Sequence, residues 1–420
     1  MRYANNKPTR DYMLNPESWI KSWRKLMQNE SPPAPQQEKT CILLILDTTH
    51  GQIGGTEKNT ISLAQELKKK GYYPVLIEVG FEILKQCDDS DGLSIFNIHE
   101  KAFDVVGFFV WRKVIANFGP SAIIRSKTWA GCINWRLDLA AALSSAIYLS
   151  WEHHPANAKN LENNFTLKAF LKNYLRTLLH INTSKRTLAV SYAVRNALSD
   201  CYPIKINEID IIYPGVDFEK FSYNKSASLA LRKKWNIPES AFIIGSLGRL
   251  TPHKGNDFIL KVVAGILKKN PSLNIWCVIA GKGSDLLRLQ GISESLGIKD
   301  RTLFPGWQED PSITWSAIDI FLMPSSDEGL GMTLIEAAAC KCIPLSSPVG
   351  GMKEVLYDSL SQYSLPEHSI DAWVDMCIQL VMEGYEKNSA RHNSIYTVIR
   401  QRFDAKNQWQ KIAAWIDKNI

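Results

Sequence analysis

Apolar positions along this chain gather into short continuous runs that alternate with stretches of helical period, the pattern of buried parallel strands joined by helices. Thr40 to Asp47 is one such run. A loop from His50 to Gly55, a helical stretch from Thr56 to Lys70 stopped by Gly71, and a strand from Tyr73 to Val79 follow it, so residues 40–79 form a strand–helix–strand unit. The alternation is weaker beyond, with strands expected at 146–151 and 188–191. A second series is clearer: strands at 242–247, 273–280, 302–304, 319–324 and 343–346, with helices at 256–269, 284–296, 311–317 and 332–340 between them. Such a series predicts a doubly wound open sheet, whose ligands collect at the carboxyl ends of its strands. Asp371 to Ile420 reads as helical throughout.

The first 38 residues read as an extension. A helix starting near Asn15 places Trp19, Trp23, Leu26 and Met27 on one stripe, and 31–37 is a proline-rich linker. The helical stretch from Phe165 to His180 sets Lys168, Lys172, Arg176 and His180 opposite an apolar face, a pattern of packing onto the chain's own sheet or of resting on anionic lipid.

With 420 residues, 45% apolar and 22% charged, the chain is long enough for two cores and has no disordered bias. Its polar start and the absence of a long uncharged apolar run predict a cytoplasmic protein, with peripheral contact at the inner membrane face left open. Eight scattered cysteines suggest reduced thiols rather than a zinc site. A net charge of +7 suits an anionic ligand, but no basic tract interleaved with aromatics points to nucleic acid.

Two segments carry chemistry. In 324–338 a strand ends at Pro324, Gly329 and Gly331 form an unobstructed loop, and a helix begins with its first N–H groups unpaired, which makes an anion site. A diphosphate would lie over those groups, and Glu336, one turn in, would accept from ribose hydroxyls. The plain alternative is that Glu328 and Glu336 are only acidic residues favourable near a helix N-terminus. In 245–255 another strand, turn and helix start places Arg249 and Lys254 at the end of the first strand of the same sheet, where two cations would meet a diphosphate or simply be solvated. The Asp88–Asp91 cluster has the spacing of a metal motif but reads as an acidic turn, and no metal is expected.

Together these segments resemble the retaining glycosyltransferases of the GT-B fold, family 4, the group 1 glycosyl transferases. Glu328 and Glu336 stand as the family's Glu-x7-Glu element, Gly248-Arg249-Leu250 with Lys254-Gly255 lies upstream, and Val349-Gly-Gly-Met-Lys-Glu-Val355 follows. Tyr213-Pro-Gly-Val-Asp217, Ala280-Gly-Lys-Gly283 and Phe304-Pro-Gly-Trp307 also match, and the resemblance is strong over 210–356. It implies two Rossmann-like, doubly wound α/β domains facing across a cleft, with a C-terminal helix crossing back. The expected boundaries are 1–38 for the extension, 39–212 for the acceptor domain, 213–400 for the donor domain and 401–420 for the returning helix.

The resemblance also implies roles. Arg249 and Lys254 would stabilise the leaving diphosphate together with the N–H groups of Leu330, Gly331, Met332 and Thr333; Glu336 would hold the ribose and Trp307 would lie beside the base. Glu328 would contact the transferred sugar, His153 would point into the cleft, and Gly54 and Gly55 would approach the donor. Ser191 fits as a structural turn. The activity implied is metal-independent transfer, with retention, from a nucleotide diphosphate sugar to a glycan, lipid-linked or small-molecule acceptor, with no cofactor. Two other readings are a sugar-nucleotide epimerase or hydrolase of the same fold, and a non-catalytic nucleotide-sugar binding protein.

Overall fold

A computed structural model describes residues 40–48, 54–80, 84, 92–98, 106–127, 134–154, 184–201 and 204–420. The expected helices near Asn15 and at 165–180, and the Asp88–Asp91 turn, lie outside the described residues. Two parallel sheets organise the rest. The first contains β1 (Cys41–Thr48), β2 (Tyr73–Gly80), β3 (Ser94–Ile98), β4 (Ala122–Lys127), β5 (Ile147–Glu152), β6 (Arg186–Ala189) and β7 (Ile209–Ile211), in the order β3-β2-β1-β4-β5-β6-β7. The second contains β8 (Phe242–Leu247), β9 (Ile275–Ala280), β10 (Thr302–Leu303), β11 (Ile320–Met323) and β12 (Ile343–Ser346), in the order β10-β9-β8-β11-β12. Strand order reverses at β1/β4 and at β8/β11, the places where open α/β sheets bind ligands.

Side chains of β1 and β8 are wholly buried where they cross the sheet centres, because helices cover both faces of each sheet. In β4 and β5 the burial is not all apolar. Lys127 and Glu152, opposite one another in the register, form a buried ion pair of 2.9 Å, and Arg125 lies 3.6 Å from Asp138. Tyr148 Oη also donates to Asp138 at 2.7 Å. These pairs explain why the strand pattern is weak there: charged residues occupy core positions by satisfying one another.

The chain crosses between the sheets twice, side by side. Val216 N donates to Phe403 O at 2.9 Å and Ala405 N to Val216 O at 2.9 Å. Gly215 is needed at this seam, since a Cβ there would lie 2.4 Å from Ala405 Cα. The expected continuous C-terminal helix is interrupted. Helix Ile370–Phe403 contains Gly384 at φ 72° and ends at Asp404, which caps a separate helix, Ala405–Asn419. That last helix does cross back: Asp417 accepts from Tyr72 Oη at 2.6 Å and Lys70 Nζ at 3.1 Å, and Trp415 Nε1 donates to Asp210 at 2.8 Å.

Candidate active site

Two helix N-termini meet between the sheets. Helix Gly55–Lys69 follows β1 and helix Met332–Ala339 follows β11, and a Cβ on Gly55 would stand 3.9 Å from Met332 Cγ. Both helices aim the positive ends of their dipoles at one small region; in helix Gly55–Lys69 the Glu57 carboxylate takes up the Gly54 N–H. Gly331 enters the second helix at φ 88°, a conformation that favours glycine. The turn after β8 closes a third side. It carries half-buried Arg249 and Lys254, and Gly255 at φ 68° packs so tightly that a Cβ would lie 2.5 Å from Pro324 O.

The Ala280–Gly283 motif now has a physical reason. A Cβ on Gly281 would sit 1.8 Å from Gly248 O, and one on Gly283 2.0 Å from Leu250 O, so bare backbone is required where the Arg249 turn rests on the end of β9.

Charge within the site is ordered. Lys254 Nζ donates to Glu328 Oε1. Burial pushes the Glu328 carboxyl up, but the Lys254 charge and hydrogen bond outweigh it and hold the group below its usual range. Glu57, buried in the first turn of helix Gly55–Lys69, accepts the Gly54 N–H at 2.8 Å. Burial raises its pKa, opposed by the N–H groups of Glu57 and Gly54 and by the charge of Arg249. The Arg249 guanidinium itself makes no hydrogen bond or ion pair among the described residues. Burial likewise raises the pKa of Glu336, opposed by the charge of Lys58 from the other domain and by a 3.4 Å bond from Trp315 Nε1.

His153 lies at the end of β5, 8% exposed, its ring 4.3 Å from that of Trp151. Its Nε2 is buried without a hydrogen-bond partner among the described residues, and burial lowers its pKa to about 3, so the imidazole is neutral. Its carbonyl presses on the loop after β11: a Cβ on Gly329 would lie 1.9 Å from His153 O. Nearby His154 Nδ1 is 3.8 Å from Asp327 Oδ2 across the domain boundary.

Arg249, Lys254, Glu328, His153, Gly54, Gly55, Leu330, Gly331, Met332, Thr333 and Glu336 thus lie together where the two helix N-termini meet. Trp307 stands apart on the loop after β10, 47% exposed; Gly281 N donates to Gly306 O at 2.8 Å and Gln308 Nε2 to Trp307 O at 3.2 Å, which hold that loop. Sequence reasoning names Ser191 and Glu354 but not their partners, and passes over Asp327. Ser191 Oγ donates to Gly329 O at 2.6 Å, so it is more than a turn; Glu354 reaches into the other domain; and Asp327 faces His154. A Gly-Gly-x-x-Glu turn marks Glu354 as notable, but no local signal gives its partner. Among the described residues no group of three or more His, Cys, Asp or Glu is placed to hold a metal ion, and no helix is long and apolar enough to cross a membrane.

Residues 53–220 match the family described as Glycosyltransferase Family 4, and residues 228–397 that described as Glycosyl transferases group 1. The chain is similar to the D-inositol 3-phosphate glycosyltransferase of Corynebacterium urealyticum, 28% identical over 63% of this chain and 64% of the relative. It is also similar to that of Salinispora tropica, 28% identical over 42% of this chain and 39% of the relative. It therefore spans about two fifths to two thirds of the length of these curated relatives. Among solved structures, Anabaena Alr3699/HepE in complex with UDP and glucose superposes with a TM-score of 0.75 at 16% identity, over 90% of this chain and 99% of that one. A glycosyltransferase from Rickettsia africae gives 0.77 at 19% identity, over 91% and 99%. The two-sheet architecture is thus the GT-B fold.

Proposed function

We propose that this chain, which belongs to the GT-B glycosyltransferases and carries their family 4 and group 1 halves in that order, transfers a sugar from a nucleoside diphosphate to a hydroxyl acceptor with retention of configuration. The observation that carries this reading is the convergence of two helix N-termini with Arg249 and Lys254. That arrangement supplies fixed positive charge where a departing diphosphate develops negative charge, and such electrostatic stabilisation is usually the largest single contribution to catalysis. In this scheme the cations and dipoles carry the role that a metal ion has in other designs.

Glu336 holds the ribose hydroxyls and Trp307 lies beside the base. Glu328, its carboxylate kept ionised by Lys254, receives hydroxyls of the transferred sugar. The C1–O bond to the phosphate breaks while the acceptor oxygen bonds to C1 on the same face, and the departing phosphate oxygen takes the acceptor proton. Neutral His153 offers a hydrogen bond to the sugar without adding charge. Uridine is the first base to test, because Alr3699/HepE was solved with UDP and with UDP-glucose. The acceptor, a glycan, lipid-linked or small molecule, binds against the β1–β7 domain, and peripheral membrane contact serves a lipid-linked one.

The test is product analysis. Incubation with UDP-sugars and an acceptor panel should yield a glycoside of the donor's anomeric configuration by NMR. An inverted product contradicts the retaining scheme. Release of free sugar or an epimer at the same rate with and without acceptors supports the epimerase or hydrolase reading instead.

A further inference from the structure

Glu354 sits where the two domains and both chain crossings meet. It lies on the short helix Met352–Val355, behind the Gly350–Gly351 turn. That turn packs backbone to backbone on the donor loop: a Cβ on Gly350 would be 2.0 Å from Glu328 O, and one on Gly351 2.2 Å from Gly329 O. The Glu354 carboxylate does not stay in its own domain. Its Oε2 accepts from Tyr192 N at 2.9 Å and its Oε1 from Ala193 N at 2.8 Å, so it caps helix Tyr192–Cys201 of the β1–β7 domain. The same Oε2 accepts from Tyr213 Oη at 3.0 Å, on the first chain crossing. Arg402, beside the second crossing, donates to the Glu354 and Val355 carbonyls.

From the other domain, Ser191 Oγ donates to Gly329 O at 2.6 Å and itself accepts from Val194 N at 3.1 Å. The N-terminus of one helix therefore grips the donor loop through Ser191 and the Gly-Gly turn through Glu354. A carboxylate accepting two N–H groups at a helix N-terminus is held by charge-assisted bonds and by the dipole. Neither bond can survive separation of the domains.

We propose that Glu354 is a positioning residue that latches the closed state, joining the N-terminus of helix Tyr192–Cys201 to the donor loop so that occupancy of the nucleotide site orders the other domain. This rests on the donor-site reading above. Glu354 touches no substrate. It acts through the Gly350–Gly351 turn on Glu328, Gly329 and Leu330.

The experiment compares the unaltered chain with Glu354→Gln, which keeps shape but loses the charge and presents an amide N–H₂ to a backbone donor. Nucleotide affinity is measured by calorimetry with UDP, GDP, ADP and dTDP, and amide exchange over residues 190–201 is followed with and without the nucleotide that binds. In the unaltered chain the nucleotide should slow exchange there by about tenfold or more, as expected for an opening that binding suppresses. In Glu354→Gln that protection should disappear and, because coupling is reciprocal, the dissociation constant should rise by up to about the same tenfold, with binding itself retained through Arg249, Lys254 and Glu336. Ser191→Ala and Tyr213→Phe, each removing one bond of the latch, should lose part of the protection and keep the test alive if Glu354→Gln fails to fold. Equal protection in all variants would overturn the proposal, as would unchanged exchange in the unaltered chain on binding. Failure of all four nucleotides to bind the unaltered chain would remove the donor site itself, and the latch with it.

Discussion

Lys254 donates its ammonium to Glu328, a carboxylate only 8% exposed, so the two charged groups the transfer relies on are each other's counter-charge before any substrate arrives. Removing one partner of a buried pair leaves the other uncompensated, which costs more than the pair itself is worth. Lys254→Ala is therefore expected to lose activity by on the order of a hundredfold or more through lost diphosphate stabilisation. It should also raise the Glu328 pKa. Because Lys254 holds the folded pKa below the usual value, the pair stabilises the fold above the ordinary carboxylate range, and that contribution fades as pH falls through the lowered value. Urea unfolding of the two proteins between pH 7 and pH 3 checks this: their difference should shrink on the acid side.

His153 gives a second pH prediction with its sign fixed by burial. Its folded pKa is lowered to about 3, below the ordinary histidine value. The unfolded chain thus binds a proton that the folded chain refuses. Stability should fall as pH drops from about 6.5 toward 3, and His153→Gln should flatten that part of the curve. No activity limb between pH 5 and 8 should trace to this residue, which a comparison of the two pH–rate profiles checks.

Gly329→Ala tests the close approach of the domains. A Cβ 1.9 Å from the His153 carbonyl oxygen cannot be accommodated without moving the loop or opening the cleft. Activity should be lost with a drop in stability of about 2 kcal/mol or more. Small-angle scattering should show a more open molecule if the loop holds and the domains part.

Glu336 predicts a preference for ribose over deoxyribose. A carboxylate that accepts from the 2′-hydroxyl should make UDP bind about tenfold better than its 2′-deoxy analogue, by roughly one charged hydrogen bond. Glu336→Ala should erase the difference, and calorimetry with both nucleotides reads it directly.

Sequence and structure agree best where chemistry and backbone geometry are local. The Glu328–Glu336 loop and the Arg249 turn are legible because a strand end, glycines and a helix start follow one another within a dozen residues, and the glycines are forced by contacts such as Gly281 on Gly248. β4 was hidden. Arg125 and Lys127 break its apolar pattern, and only Asp138 and Glu152, met in the fold, make their burial tolerable. The interruption at Gly384 was hidden too, because a single glycine does not stop a periodic helical pattern. What joins the domains was least legible. Ser191 and Gly329 are 138 residues apart, and Tyr192 and Glu354 162, distances over which no periodicity or motif speaks.

The measurement that bears most directly on the donor site is the thermal stability of the unaltered chain and of Arg249→Ala with UDP, GDP, ADP and dTDP. A nucleotide at a hundredfold excess over its dissociation constant adds about 2.7 kcal/mol to the folded state, a shift of several degrees. One of the four should shift the unaltered chain, and Arg249→Ala should lose most of that shift. An equal shift in both proteins, or none in either, would contradict a diphosphate held between Arg249 and the two helix N-termini.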